Sequence, residues 1–92
     1  MVKRIKSGIA GRCLDFSYLE WIREVAVQLG IKGTAFLKKD GAIEVIAEGE
    51  EKNLEKLAYK LENGNFWHSI ENFYIDWMRA TGEYPDFYIN AE

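Results

Sequence analysis

Gly33-Thr34-Ala35-Phe36-Leu37-Lys38, then Lys39-Asp40-Gly41, then Ala42-Ile43-Glu44-Val45-Ile46-Ala47-Glu48 follow one another mid-chain, and their reading decides the fold. Two extended runs joined by a segment ending in Asp-Gly form a strong hairpin signal, because that pair accepts the backbone angles that return a strand onto its neighbour. In the second run Ile43 and Val45 share one face, while Glu44 and Ile46 share the other. That period of two suits a strand with one face on a core.

On the N-terminal side of the hairpin, the sequence predicts a helix over 17–29. Ser17 with Glu20 three residues later makes a capping box, and Tyr18, Ile22, Val25, Ala26 and Leu29 form one apolar stripe. Gly30 supplies the residue that ends it. Before the helix, residues 2–10 read as a first strand with Val2, Ile5 and Ile9 as its apolar members. Gly8 and Gly11 weaken a strand unless another backbone or a ligand comes close there.

On the C-terminal side, acids at Glu50 and Glu51 open a second helix over 50–62, with Leu54, Leu57, Ala58 and Leu61 as its core stripe. A strand over 69–78 follows, in which Phe73, Ile75 and Trp77 alternate with polar positions and predict one buried face. Thr81-Gly82 turns the chain, and Pro85 marks the edge of a short final strand over 86–90.

The order is β-α-β-β-α-β with a short strand appended. Helices that each bury one stripe, and strands with one buried face, predict both helices on one side of an antiparallel sheet. This is the α+β class, in the ferredoxin-like split β-α-β arrangement. Many unrelated activities share that architecture, so it assigns no function by itself.

Ninety-two residues with 48% hydrophobic content suit a single domain over 1–92. A net charge of −3, with no basic arm, argues against a nucleic-acid partner bound by phosphate neutralisation. The apolar runs are too short to span a membrane and the first residues form no signal peptide, so a cytoplasmic protein is expected. The single cysteine, Cys13, excludes an internal disulfide and reads as a free thiol, and the single histidine, His68, reads as a loop or strand-start residue. No His, Cys and acid cluster suggests a metal, and no cofactor is expected.

The candidate site is Gly11-Arg12-Cys13-Leu14-Asp15-Phe16-Ser17-Tyr18-Leu19. A strand-to-helix loop points several backbone N–H groups at one spot, with the positive end of the helix dipole behind them, and so suits a small anion such as phosphate. Arg12 is a cation within reach of such a loop. Cys13 beside a helix N-terminus has a setting that lowers a thiol pKa, but no base accompanies it in sequence. Glu48, Glu50 and Glu51 read as turn and helix-dipole residues. Aromatics make up 14% of the chain, and Trp67, Tyr74, Tyr84 and Tyr88 are the candidates for an exposed patch facing a protein partner, with core packing as the simpler alternative.

Several blocks carry a family resemblance. Asp40-Gly41-Ala42-Ile43-Glu44-Val45-Ile46-Ala47-Glu48-Gly49 resembles the acylphosphatase D-G-x-V-E-x-x-x-x-G segment. Thr81-Gly82-Glu83-Tyr84-Pro85-Asp86-Phe87-Tyr88-Ile89 resembles that family's T-G-x-[FY]-x-x-F-x-I close, and Leu29-Gly30-Ile31-Lys32-Gly33 is similar to its L-G-[LI]-x-G. The order and spacing of the blocks agree across nearly the whole chain.

The resemblance implies metal-free and cofactor-free hydrolysis of small acyl phosphates. It also implies a phosphate loop of the form G-x-V-Q-G-V-x-[FY]-R and, in G-W-V-x-N, an Asn that positions water. Counting back from Leu29-Gly30 without gaps puts Gly11 and Arg12 on the opening of that signature, Tyr18 on its aromatic and Leu19 on its Arg. Counting forward from Gly33 puts Leu37 on the Asn.

Two readings follow from this alignment. In the first, the chain is a catalytically silent or impaired family member that binds a small anion or a protein. In the second, it is an active acylphosphatase with a variant site using the loop N–H groups and Arg12.

Overall fold

A computed structural model of the chain describes residues 1–12, 14–65 and 68–92. The elements run β1 (Val2–Arg12), α1 (Phe16–Gln28), β2 (Lys32–Leu37), β3 (Ile43–Glu50), α2 (Glu51–Asn63), β4 (Ser69–Arg79) and β5 (Phe87–Ala91). They form a five-stranded sheet in the order β4-β1-β3-β2-β5.

The central hairpin forms as the sequence predicts. β2 and β3 pair antiparallel from Lys32 opposite Glu48 to Leu37 opposite Ile43. In the connection, the Gly41 N–H donates to the Lys38 carbonyl at 3.0 Å and the Ala42 N–H to Asp40 Oδ1 at 2.9 Å. Gly41 sits at φ +90°, a left-handed angle that a side chain would strain, which is why Asp-Gly marks the turn.

β1 lies between β3 and β4 and pairs antiparallel with both. It runs past the 2–10 expected from sequence, because Gly11 and Arg12 continue the ladder opposite Ile70 and Ser69. A Cβ at Gly11 would come within 2.0 Å of the Ser69 carbonyl oxygen, so only glycine lets the two backbones meet there. The register slips at this point and leaves Glu71 as an extra residue on β4.

The expectation of an antiparallel sheet holds for β1 to β4 and needs one correction. β5 pairs parallel with β2, from Gly33 opposite Phe87 to Leu37 opposite Ala91, so the sheet is mixed. Residues 80–86 carry the chain from one edge strand to the other, which sets β5 running alongside β2.

Both helices pack on one face. Ile5 and Ile9 of β1, Ile43, Val45 and Ala47 of β3, Ala35 of β2 and Phe87 of β5 meet Tyr18, Leu19, Ile22, Val25 and Ala26 of α1 and Leu54, Leu57 and Leu61 of α2. Ser7 is fully buried among them, and its hydroxyl is satisfied by donating to the Tyr74 carbonyl at 2.8 Å. Phe73 and Ile75 pack against the core from β4, but Trp77 at the same face remains 45% exposed because β4 is an edge strand.

The start of α1 differs from the sequence reading. Asp15, not Ser17, is the N-cap: its carboxylate accepts the Tyr18 N–H at 3.3 Å, and Ser17 lies inside the first turn. Both residue types cap well, and the β1–α1 connection ends two residues earlier than the capping-box spacing implied.

Candidate functional site

The β1–α1 loop is built by a strand that ends at Arg12 and a helix that begins at Phe16. Arg12 is exposed, with its Nε 3.7 Å from Glu71 Oε2 on the neighbouring strand. Leu14 turns inward to the core, whereas Asp15, Phe16 and Ser17 face solvent. Cys13 lies outside the described residues, as does Trp67 of the aromatic candidates.

Tyr18 and Leu19 are both fully buried. The Tyr18 ring packs 5.2 Å from Trp21 and 4.9 Å from His68, and burial pushes its phenol pKa up, so the group stays neutral. Leu37, at the end of β2, is partly buried at the margin of the core. The side chains of the two leucines therefore offer apolar packing and no hydrogen-bond donor.

The Asp15 carboxylate organises the helix end. Besides the Tyr18 N–H it receives the Ser17 hydroxyl at 2.6 Å, and its Oδ1 lies 3.3 Å from His68 Nε2. The Ser17 hydroxyl, then burial working the other way, then His68 and the Tyr18 N–H set its pKa, with the net result below the ordinary aspartate value. An anionic side chain thus sits at the positive end of α1, where a bound anion would gain most from the dipole.

His68 lies immediately before β4, as a strand-start residue, but its contacts to the helix end are not foreseen from sequence. It is 8% exposed, with Nδ1 2.9 Å from Asn65 Oδ1 and Nε2 facing both Asp15 and, at 3.4 Å, the Ser17 hydroxyl. Asn65 and His68 form an isolated antiparallel bridge, and nothing in the local sequence points to a partner 53 positions away.

Glu48 needs a correction too. It is 6% exposed and faces away from the helices, accepting from Arg4 Nε at 2.8 Å, the Thr81 N–H at 2.8 Å, the Thr81 hydroxyl at 3.0 Å and the Gly82 N–H at 2.9 Å. Burial pushes its carboxyl pKa up, but the Thr81 and Gly82 N–H groups, the Thr81 hydroxyl and Arg4 outweigh that and leave it lowered. Arg4 also bonds Glu83 and lies 5.5 Å from the centre of the Tyr84 ring. Glu48 therefore ties the 80–86 crossing to β3 and is not a simple turn residue.

Of the aromatic candidates, Tyr74 and Tyr88 are about half exposed, at 48% and 49%, and Tyr84 is partly covered. No group of three His, Cys, Asp or Glu able to hold a metal occurs among the described residues. No helix among them is long and apolar enough to cross a membrane.

Comparison with known proteins agrees with this layout. The sequence model of the acylphosphatase family matches residues 5–89. An acylphosphatase of Caldanaerobacter subterraneus subsp. tengcongensis is 34% identical over 86 residues, which covers 94% of this chain and 91% of that protein. One from Frankia alni is 33% identical over 86 residues, covering 94% and 92%. Among solved structures, acylphosphatase from Bacillus subtilis superposes with a TM-score of 0.86 at 20% identity, covering 97% of this chain and 98% of its own. The fold is shared from end to end, and the sequence matches extend through both helices and the hairpin: the chain belongs to the acylphosphatase family.

Proposed function

We propose that this chain is an acylphosphatase-family protein whose acyl-phosphate hydrolysis is silent or strongly impaired, retained as a small-anion or protein-binding module. The observation that carries the reading is the complete burial of Leu19, the residue aligned with the family's phosphate-binding Arg. A guanidinium matches phosphoryl oxygens with a fork of donors and offsets their charge; an isobutyl group packed into the core does neither. Leu37, aligned with the water-positioning Asn, supplies no amide. Asp15 compounds the loss, since its carboxylate already takes the Tyr18 N–H and opposes an incoming dianion.

Loss of one such donor typically lowers rate by about 10²–10³. The test is turnover of benzoyl phosphate, assayed beside a relative that carries both signature side chains. Wild-type turnover should fall short of that relative by at least about 10². Turnover within about tenfold of it would overturn the reading.

A second reading has one observation behind it. The Arg12 side chain is 83% exposed and only loosely paired with Glu71, so it is free to swing over the loop in place of the missing cation. In that case measurable turnover would disappear in Arg12→Ala.

A further inference from the structure

The asparagines of the chain are Asn53, Asn63, Asn65, Asn72 and Asn90, and only Asn63 is followed by glycine. Asparagine is chemically labile because the backbone nitrogen of the next residue can attack its side-chain carbonyl carbon. A glycine in that place leaves the nitrogen uncovered and the chain free to turn, since it has no Cβ and few forbidden angles.

Asn63 is the exposed last residue of α2, and Gly64 follows it at φ +70°. The end of the helix holds both reacting groups. Asn63 Nδ2 donates to the Tyr59 carbonyl at 2.7 Å, and the Gly64 N–H donates to the Lys60 carbonyl at 2.9 Å. While these bonds last, the nitrogen and the side-chain carbon are kept apart. A last helical turn opens at far lower free energy than the whole domain, so the reaction waits on that local opening.

We propose that Asn63 and Gly64 form a self-modifying site: the last turn of α2 sets the rate of deamidation, and the product loosens the contact of His68 with Asp15. Once the turn opens, the Gly64 nitrogen bonds to Asn63 Cγ and gives up its proton. Nδ2 leaves with that proton as ammonia, and a cyclic imide remains. Water then adds to one of its two carbonyls. Addition at Cγ breaks the Cγ–N bond and yields aspartate. Addition at the main-chain carbonyl breaks the original peptide bond and yields isoaspartate, whose chain runs through Cγ and is longer by a methylene. Water is the sole co-reactant.

The backbone after Asn63 has no room for that extra length. A Cβ on Gly64 would meet the His68 carbonyl oxygen at 2.6 Å and Ile70 Cγ1 at 3.1 Å. His68 in turn has Nδ1 2.9 Å from Asn65 Oδ1 and Nε2 3.3 Å from Asp15 Oδ1. Isoaspartate therefore pushes Gly64 against the His68 backbone and draws the ring from Asp15. Aspartate acts more weakly: it sets a carboxylate beside the Tyr59 carbonyl, where a donor stood, at the negative end of the helix dipole.

The full chain is incubated at mildly alkaline pH, folded and in urea, and peptide mapping separates asparagine, aspartate and isoaspartate at each position. Asn63 should convert in the folded chain, about tenfold or more slowly than in urea, while the other asparagines stay intact. Tyr59→Gly weakens the end of α2 through an exposed side chain and leaves the reacting atoms in place. It should speed conversion in the folded chain about two- to fivefold. Asn63→Gln should abolish it, because the longer side chain closes a less favourable ring.

The isoaspartate form, isolated by ion exchange, should show a shifted His68 ring signal by NMR and a lower urea midpoint than the unmodified chain. Complete protection of Asn63 in the folded chain overturns the site, as does conversion at another asparagine in its place. Equal rates folded and in urea, or an unchanged rate in Tyr59→Gly, overturn control by the helix end. An isoaspartate form with the His68 signal and midpoint of the unmodified chain overturns the effect on Asp15.

Discussion

His68 Nε2 lies 3.3 Å from Asp15 Oδ1, so a residue just before β4 closes the N-terminal end of α1. The same carboxylate oxygen receives the Ser17 hydroxyl and the Tyr18 N–H. One aspartate therefore joins the helix cap, the β1–α1 loop and the segment ahead of β4.

Asp15→Ala should cost about 0.5–2 kcal/mol, the usual price of an N-cap, read as a lowered urea midpoint at neutral pH. Ser17→Ala should cost less, because it removes a neighbour of the cap and leaves the cap itself. The folded pKa of Asp15 is depressed, so its contribution is complete above the ordinary value of 3.8 and is lost as pH falls through the lowered folded value. Equal midpoints for the two variants would show that the cap lies elsewhere.

Glu48 gives a second test with the same sign and a larger size. Glu48→Ala leaves the Arg4 guanidinium, the Thr81 N–H and the Gly82 N–H without their shared acceptor. Breaking a buried charged pair costs about 3–5 kcal/mol. The folded pKa is lowered, so the stabilisation is present above the ordinary value of 4.5 and disappears as pH falls through the lowered folded value. Glu48→Gln should be less stable than wild type at neutral pH, and the gap should close in acid. Urea titrations at the two pH values measure this, and a gap independent of pH would contradict the assignment.

The parts of this fold that the sequence reveals are those with local causes. The hairpin follows from Asp40-Gly41 between alternating runs, and both helices follow from their apolar stripes. What stayed hidden depends on partners far apart in the chain. Parallel pairing of β5 with β2 has no local signature, and Glu48 looks like any acid before a helix until Thr81 and Gly82 fold back onto it. Asp15 and Ser17 are both good caps, and the choice between them rests partly on His68, 53 positions away. The alignment of Leu19 and Leu37 with signature positions comes from resemblance alone; the structure shows Leu19 buried and Leu37 partly buried.

Gly11 tests how tightly the end of β1 is fitted to β4. Its Cβ position lies 2.0 Å from the Ser69 carbonyl oxygen, which is backbone and cannot rotate aside. Gly11→Ala should cost about 1–3 kcal/mol by overpacking. Gly8→Ala meets the Tyr74 ring at a similar 2.0 Å, but that ring belongs to a half-exposed side chain and can turn outward. Gly11→Ala should therefore be the more damaging of the two in thermal melts, and the reverse order would mean that the β1–β4 bulge gives way easily.

Leu19→Arg tests the proposal that side-chain replacement is what impairs hydrolysis. At full burial, the introduced guanidinium must either stay in the core or pull the first turn of α1 outward to reach the loop. The single variant should lose about 3 kcal/mol or more and gain little turnover, because phosphate held without a placed nucleophile leaves most of the barrier standing. Adding Leu37→Asn supplies the water-positioning amide, and adding Asp15→Gly removes the carboxylate while freeing the first turn to shift. The triple variant should hydrolyse benzoyl phosphate well above wild type and above each single variant, since groups that act as one unit are not additive. A folded triple variant with wild-type turnover would argue that the loop backbone, and not these three side chains, decides the turnover of this chain.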